Sequence, residues 1–70
     1  FQKSTTLQLV DKNDYIKEII ILNAVGEMEK SINNIRSNSY LLHKKELVSG
    51  MYYLKIITGK NTYLSKVIVQ

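Results

Sequence analysis

The sequence predicts an all-β domain that folds as an antiparallel sandwich or a small barrel. Residues 51–57 divide with a period of two into one face of Tyr52, Leu54 and Ile56 and another that carries Lys55, and residues 16–22 are dense in β-branched side chains. Six or seven strands of typical length, about five residues, fill most of the chain and leave no room for a crossover helix. With 70 residues, the chain forms one domain at most, spanning residues 1–70.

The clearest strands form a hairpin over the last twenty residues. In the first arm, the predicted core face consists of Tyr52, Leu54 and Ile56. Residues 58–61 supply the turn, since Gly59 and Asn61 both tolerate a positive φ. The second arm, residues 62–69, is expected to bury the face that lacks Lys66, which consists of Tyr63, Ser65, Val67 and Val69.

Four further strands are predicted upstream. A threonine-rich first strand covers residues 4–10, and a second covers residues 16–22 and is closed by Gly26. Isoleucines of residues 16–22 can also be drawn on one face of a helix, but their β-branching favours a strand. Residues 28–32 form the hairpin partner of the second strand, residues 33–39 a polar loop, and residues 40–43 a short strand.

Composition limits the possible functions. The net charge is +4, and almost all of the excess lies in residues 36–70, where Glu46 is the one acidic residue. Lysines spread through strands more often keep a face soluble than bind a polyanion. Cysteine is absent, and no apolar run approaches the roughly 20 residues of a membrane span. Because the chain begins at Phe1 and not at methionine, we expect it to be a fragment of a longer protein.

Catalytic and metal-binding residues are sparse. The single histidine, His43, is interpreted as a solvent-exposed residue at the end of a strand. The closest carboxylate pairs, Asp11 with Asp14 and Glu27 with Glu29, lie in or beside turns, and neither reaches the three or four ligands of a metal site. The three glycines are isolated, so no phosphate-binding loop is present. We therefore predict no enzyme activity, no cofactor and no metal.

The five tyrosines allow a second interpretation, in which aromatic and basic side chains on a sheet bind single-stranded nucleic acid. Tyr53 with Lys55 fits that pattern locally. Tyr52 and Tyr63, however, fall on the faces assigned to the core. We favour the structural interpretation and predict no nucleic-acid partner.

Four short motifs follow one another along the chain. The first is the threonine-rich segment of residues 1–9, FQKSTTLQL. The second is a strand that ends in an amide and leads to a glycine, with Ile19, Ile21, Asn23 and Gly26. The third sets a leucine before a glycine and a tyrosine, with Leu47, Gly50, Met51 and Tyr52. The fourth joins a glycine turn to a basic and apolar strand, with Gly59, Lys66, Val67, Ile68 and Val69.

In this order and spacing the motifs resemble the type A C-terminal sorting domain of the type IX secretion system of Bacteroidetes. The resemblance implies an immunoglobulin-like sandwich of about seven strands that is not an enzyme. It also implies a passenger protein fused ahead of the domain, export through the periplasm and outer membrane, and attachment to the cell surface or release. The implied partners are the translocon, its outer-membrane shuttle protein and a sortase-like peptidase, with no stable membrane insertion.

The resemblance also assigns roles to residues. It implies translocon recognition by Gly50, Tyr52, Lys66, Val67, Ile68 and Val69, and structural roles for Gly26, Leu47 and Gly59. We expect residues 64–70 to be the main docking element, with Lys66 as its exposed charge. Gly50 is expected to form the tight turn that lets Leu47 close one end of the sandwich while Tyr52 enters the core. The alternative is an immunoglobulin-like surface adhesion or spacer module without a sorting role.

Overall fold

The structure, a computed structural model, describes residues 3–45 and 47–70 and is all-β. These residues contain no helix and form six strands, where the sequence predicts about seven. In chain order the strands are β1 (Ser4–Gln8), β2 (Ile16–Leu22), β3 (Met28–Ile32), β4 (Ser39–His43), β5 (Gly50–Thr58) and β6 (Thr62–Val69). Residues 1 and 2, the start of the first motif, lie outside the described residues.

Two antiparallel sheets build the molecule. One has four strands in the order β3-β2-β5-β6, and the other pairs β1 with β4. Neighbouring strands all run antiparallel, from the hairpin β2–β3 to the hairpin β5–β6. The architecture is compatible with a small β-sandwich, as the sequence predicts.

The core lies between the two sheets. Its buried residues are Ile16, Ile19, Ile21, Leu42, Tyr52, Leu54, Ile56 and Val69. A register shift between Ile16 and Glu18 inserts one extra residue into β2, so Ile16 and Ile19 face the core although they are three positions apart. This bulge produces the spacing that could also be drawn on a helix.

Strand boundaries agree with the prediction except near the two-stranded sheet. The first strand was expected to continue to Val10 but ends at Gln8. The Leu9 amide donates to the Asn38 carbonyl at 3.0 Å, and the side chain of Val10 is 97% exposed. The chain turns away here because Asp11 begins the turn that leads into β2, where the Asp14 amide donates to its carbonyl at 3.2 Å.

The predicted core face of β6 is wrong in part. Val69 is buried and Val67 is half-buried, but Ser65 is exposed and Tyr63 is 45% exposed. The alternation is correct, because Tyr63 and Val67 pair with the buried residues Ile56 and Tyr52. Burial on this face falls along β6 from Val69 to Tyr63, so the cover over its inner face is complete only at the end of the strand.

Glycine is required at turns and close approaches for different reasons. Gly26 and Gly50 have φ values of 88° and 151°, which L-residues with a side chain avoid. Gly59 and Asn61 lie in the predicted turn, but neither uses the positive φ that it tolerates. Gly59 instead lies against Tyr15, where an added Cβ would come within 2.9 Å of the ring.

Candidate docking site

The β5–β6 hairpin brings the third and fourth motifs together. Gly50 pairs with Val69, Tyr52 with Val67, and Tyr53 with Lys66. The six residues to which the resemblance assigns recognition therefore occupy one end of a single hairpin. Sequence separation hides this proximity, but the antiparallel register produces it directly.

The inner side of this hairpin end is held by packing and one hydrogen bond. Tyr52 is only 5% exposed, and its hydroxyl donates to the Val48 carbonyl at 2.7 Å. Leu47 is partly buried against the core cluster, and its amide donates to the Lys44 carbonyl at 2.8 Å. Segment 47–49 is thereby fixed over the end of the sandwich.

Gln70 is also hydrogen-bonded to the segment that follows β4 of the two-stranded sheet. The Lys44 ammonium donates to the Gln70 carbonyl at 2.5 Å. Lys44 directly follows β4, and its amide donates to the Lys3 carbonyl at 2.8 Å. The end of β6 is thus joined to the segment that follows β4 by a polar contact as well as by the burial of Val69.

The outward side of β6 presents a mixed apolar and basic surface. Leu64 and Ile68 are 67% and 55% exposed, and Lys66 between them is exposed. Within the described part of the chain, Lys66 has no carboxylate at ion-pair distance, since the one ion pair found there joins Lys60 to Asp11 at 3.0 Å. Lys66 therefore presents a positive charge that no described carboxylate pairs with.

The two remaining motif glycines, Gly26 and Gly59, lie away from the end of the hairpin that carries Gly50 and Val69. Gly26 is in the β2–β3 turn, where its amide donates to the Asn23 carbonyl at 3.0 Å. The Asn23 side chain accepts from the Glu27 amide at 2.9 Å and donates to the carboxylates of Glu27 and Glu29. Asn23 thus organises this turn, at the sheet edge opposite β6.

A buried polar contact that sequence reasoning missed anchors the other end of the hairpin. Thr58 donates to Asp14 Oδ2 at 2.7 Å, and both residues are buried. The Tyr15 amide donates to Asp14 Oδ1 at 2.8 Å, and the Gly59 amide donates to the Tyr15 carbonyl at 3.0 Å. No local pattern links positions 14 and 58, so only the register between the neighbouring strands β2 and β5 reveals the pair.

Hydrogen bonding sets the protonation of both aspartates in this region. Burial raises the pKa of Asp14, but hydrogen bonds from Thr58 and from backbone amides lower it by more, so the pKa lies below its ordinary 3.8. The pKa of Asp11 is lowered by the Asn13 amide and then by Lys60. The same contact with Asp11 raises the pKa of Lys60. All three groups stay charged at neutral pH.

The geometry supplies few reactive groups. Among residues 3–45 and 47–70, no three acidic or histidine side chains come close enough to hold a metal ion. His43 ends β4 and is exposed to solvent. No helix in this part of the chain is long and apolar enough to cross a membrane. What the described surface offers is an exposed edge strand, β6.

Fold and surface together define a small two-sheet β-module with an exposed edge strand in its last hairpin. The family model described as a secretion system C-terminal sorting domain matches residues 2–70, and the chain belongs to this family of type IX secretion sorting domains. The searches of curated proteins and of solved structures give no significant match.

Membership indicates a C-terminal sorting signal of the type IX system. It implies interaction with that secretion system and export across the outer membrane. The family is one of sorting signals and not of enzymes.

Proposed function

We propose that residues 1–70 are a single sorting domain through which the type IX translocon exports a passenger fused ahead of it. The match of the family model over residues 2–70 is the observation that carries this proposal. The passenger is then attached to the cell surface or released. In this scheme, an outer-membrane shuttle protein receives the domain and a sortase-like peptidase removes it.

Residues 64–70 are the main docking element in this proposal. β6 lies at the edge of the four-stranded sheet, where a partner can reach both its backbone and its outward side chains. Leu64 offers apolar surface, and Lys66 offers a charge that pairs with no described carboxylate. Gly50 and Tyr52 support this element from β5, because they pair with Val69 and Val67.

The same strand also completes the core. Burial of a valine side chain stabilises a fold by roughly 1.5 to 3 kcal/mol, and a domain this small has a total stability of about 5 kcal/mol. Val69 is fully buried and therefore holds the docking element in place. Deletion of residues 67–70 removes both the core contact and the docking surface.

The test fuses residues 1–70 behind a fluorescent passenger in a type IX-competent host and measures passenger at the cell surface and in the medium. Deletion of residues 67–70 is expected to abolish delivery. The sharper variant is L64S/K66E, which changes exposed side chains of β6 and leaves the buried face intact. Its control is K30E, an exposed reversal on β3 at the opposite edge of the sheet.

Delivery should fall with L64S/K66E and persist with K30E, while both variants melt near the wild-type temperature. Normal delivery of L64S/K66E would contradict docking through β6. A domain appended after Gln70 separates sorting from the adhesion or spacer alternative. A sorting signal read at its last strand should fail with the appended domain, whereas an adhesion module should keep working.

A further inference from the structure

An open cleft lies where the segment after β3 runs beside the start of β2. It is lined by Tyr15, Lys17, Asn34 and Arg36 and has a volume of about 250 Å³. This volume is below the roughly 300 to 1,000 Å³ of pockets for drug-sized ligands, so the cleft suits one small chemical group. The described residues that line it supply two cations, a carboxamide and a phenol, with no carboxylate among them. Such a set of hydrogen-bond donors favours an anion.

Three backbone irregularities fall on the residues of this cleft. The register shift between Ile16 and Glu18 leaves Lys17 as the extra residue of a β-bulge. Asn34 and Arg36 have positive φ values of 58° and 52°. Asparagine tolerates this left-handed conformation, but arginine adopts it rarely and at a cost in free energy. Bulges and strained residues both concentrate at functional sites, where a bulge re-aims a side chain.

Backbone hydrogen bonds hold the strained segment against β2. The Arg36 amide donates to the Ile16 carbonyl at 2.8 Å, and the Ile16 amide donates to the Ser37 carbonyl at 2.7 Å. The Ile35 amide donates to the Lys17 carbonyl at 3.4 Å, and the Ile35 side chain packs against the core cluster. The backbone positions that carry the two cations of the cleft are therefore fixed before any ligand arrives.

The acids nearest in sequence are engaged outside the cleft. Glu18 follows Lys17, and its carboxylate accepts a hydrogen bond from the Ser31 hydroxyl at 2.9 Å. Asp14 is buried, accepts from the Thr58 hydroxyl at 2.7 Å and lines a different cavity. Among the described residues, neither cation of the cleft makes an ion pair. Glu18 reduces the positive potential of the cleft but does not occupy its hydrogen-bond donors.

A phosphate monoester fits this donor set better than a carboxylate does. Near neutral pH it carries roughly −1.5 to −2 charges and offers three strong acceptor oxygens. It can accept from the Arg36 guanidinium, from the Lys17 ammonium and from a neutral donor of Asn34 or Tyr15. A carboxylate carries a single charge, so it would leave one of the two cations without a partner. The ring of Tyr15, which is 43% exposed, offers a surface to the organic group that carries the phosphate.

We propose that the cleft of Tyr15, Lys17, Asn34 and Arg36 binds the phosphate monoester group of a small molecule or of a lipid headgroup. Arg36 and Lys17 neutralise the phosphate, and Asn34 adds a neutral hydrogen bond. The four residues belong to β2, to the segment before it and to the segment after β3, and none lies on β6. The site is thus separate from the docking element of residues 64–70, and this inference goes beyond the sorting function.

The test titrates the isotope-labelled chain of residues 1–70 with inorganic phosphate and with glycerol phosphate and follows the amide shifts by NMR. Amides of residues 15–18 and 34–37 should shift, and those of β6 should not. K17Q/R36Q removes both cations and should weaken binding by about tenfold or more. K12Q/K30Q makes the same change in net charge at exposed positions outside the cleft and should stay within about twofold of the wild type.

Arg36→Gly separates the guanidinium from the backbone that carries it. Glycine adopts a positive φ without strain, so this variant should keep the dispersed amide spectrum of the wild type. It should nevertheless bind phosphate about fivefold or more weakly. Unchanged affinity in Arg36→Gly and K17Q/R36Q would overturn the inference, and so would wild-type amides of the cleft that do not shift. Acetate bound as tightly as phosphate would overturn the assignment to a phosphate group.

Vesicles distinguish the two sources of the phosphate group. Phosphatidylcholine vesicles with phosphatidic acid present the monoester of glycerol phosphate at a membrane surface, whereas vesicles with phosphatidylglycerol present a diester. Binding of glycerol phosphate without binding of either vesicle supports a soluble ligand. Binding of the phosphatidic acid vesicles that K17Q/R36Q weakens supports a lipid headgroup. Equal binding of both vesicles, with none of glycerol phosphate, would overturn the inference. The translocon takes no part in these measurements, so their failure leaves the sorting function standing.

Discussion

Thr58 and Asp14, 44 positions apart in sequence, form a buried hydrogen bond of 2.7 Å between the β5–β6 turn and the segment that enters β2. The Thr58 hydroxyl also accepts from the amides of Lys60 and Asn61, so it shapes the turn and anchors it at once. Gly59 completes the contact, because its missing side chain leaves room for Tyr15. The hairpin that carries the docking element is thus fastened at its turn.

Thr58→Val tests this anchor. The variant keeps the β-branched shape but leaves the buried Asp14 carboxylate without its hydroxyl donor, so we expect a loss of about 1 to 3 kcal/mol in unfolding free energy. Urea denaturation measures the loss. Thr62→Val, at the exposed start of β6, is the matched control and should change little. Equal stability of the two variants would show that the buried bond contributes nothing.

The pH dependence of stability follows from the lowered pKa of Asp14. Because its pKa in the folded state lies below the ordinary 3.8, ionised Asp14 stabilises the fold above that value. This contribution is lost as pH falls through the folded pKa. We expect the unfolding free energy of the wild type to drop below about pH 4.

Asp14→Asn is expected to be less stable at neutral pH and to show a weaker acid dependence, measured by urea denaturation at a series of pH values. Asp11 also has a lowered pKa, so it contributes to the same acid dependence. Asp11→Asn serves as the comparison, because it removes only the contribution of Asp11 to the loss of stability in acid. An acid dependence in Asp14→Asn as steep as that of the wild type would contradict the assignment.

Gly50 is predicted to be required for its backbone conformation and not for space. Its φ is 151°, and nothing lies within 4 Å of an added Cβ. Gly50→Val should therefore lower the unfolding free energy by more than about 1 kcal/mol through strain alone. Thermal melting measures the effect, with Ser49→Val as an exposed neighbouring control. Unchanged melting of Gly50→Val would rule out the strain.

The two sides of β6 should differ sharply in their effect on stability. Val69→Ala removes buried methyl groups beside the core, so we expect a loss of about 1 to 3 kcal/mol. Leu64→Ala removes a side chain that is 67% exposed and should cost under about 0.5 kcal/mol. Denaturation midpoints provide the comparison. A larger loss for Leu64→Ala would reverse the assigned faces.

Much of the fold can be predicted from the sequence, because local signals and tertiary packing agree. β2, β3 and β6 begin and end where β-branching and the turn residues place them. The core face of β5 is likewise correct, since Tyr52, Leu54 and Ile56 are buried. In each of these cases the signal lies within the strand or its turn: β-branching in β2, the Gly26 turn before β3, and side-chain alternation in β5 and β6.

The structure differs from the prediction where a residue's environment depends on segments that are distant in the sequence. Tyr63 has the right parity to be buried but lies at the less covered end of β6, and no pattern within β6 encodes how far the cover extends along it. The bulge in β2 and the Asp14–Thr58 contact depend on the register between distant segments. The motif residues at the hairpin end could be named from the sequence, but their proximity follows only from the pairing of β5 with β6.

The most direct measurement of the sorting function compares two hosts that produce the same fluorescent passenger fused to residues 1–70. One host has a working type IX translocon, and the other is isogenic but lacks it. We expect the passenger outside the outer membrane only in the competent host, and in the periplasm in the other. Passenger that stays in the periplasm of both hosts, or that reaches the surface of both, would contradict a type IX sorting function.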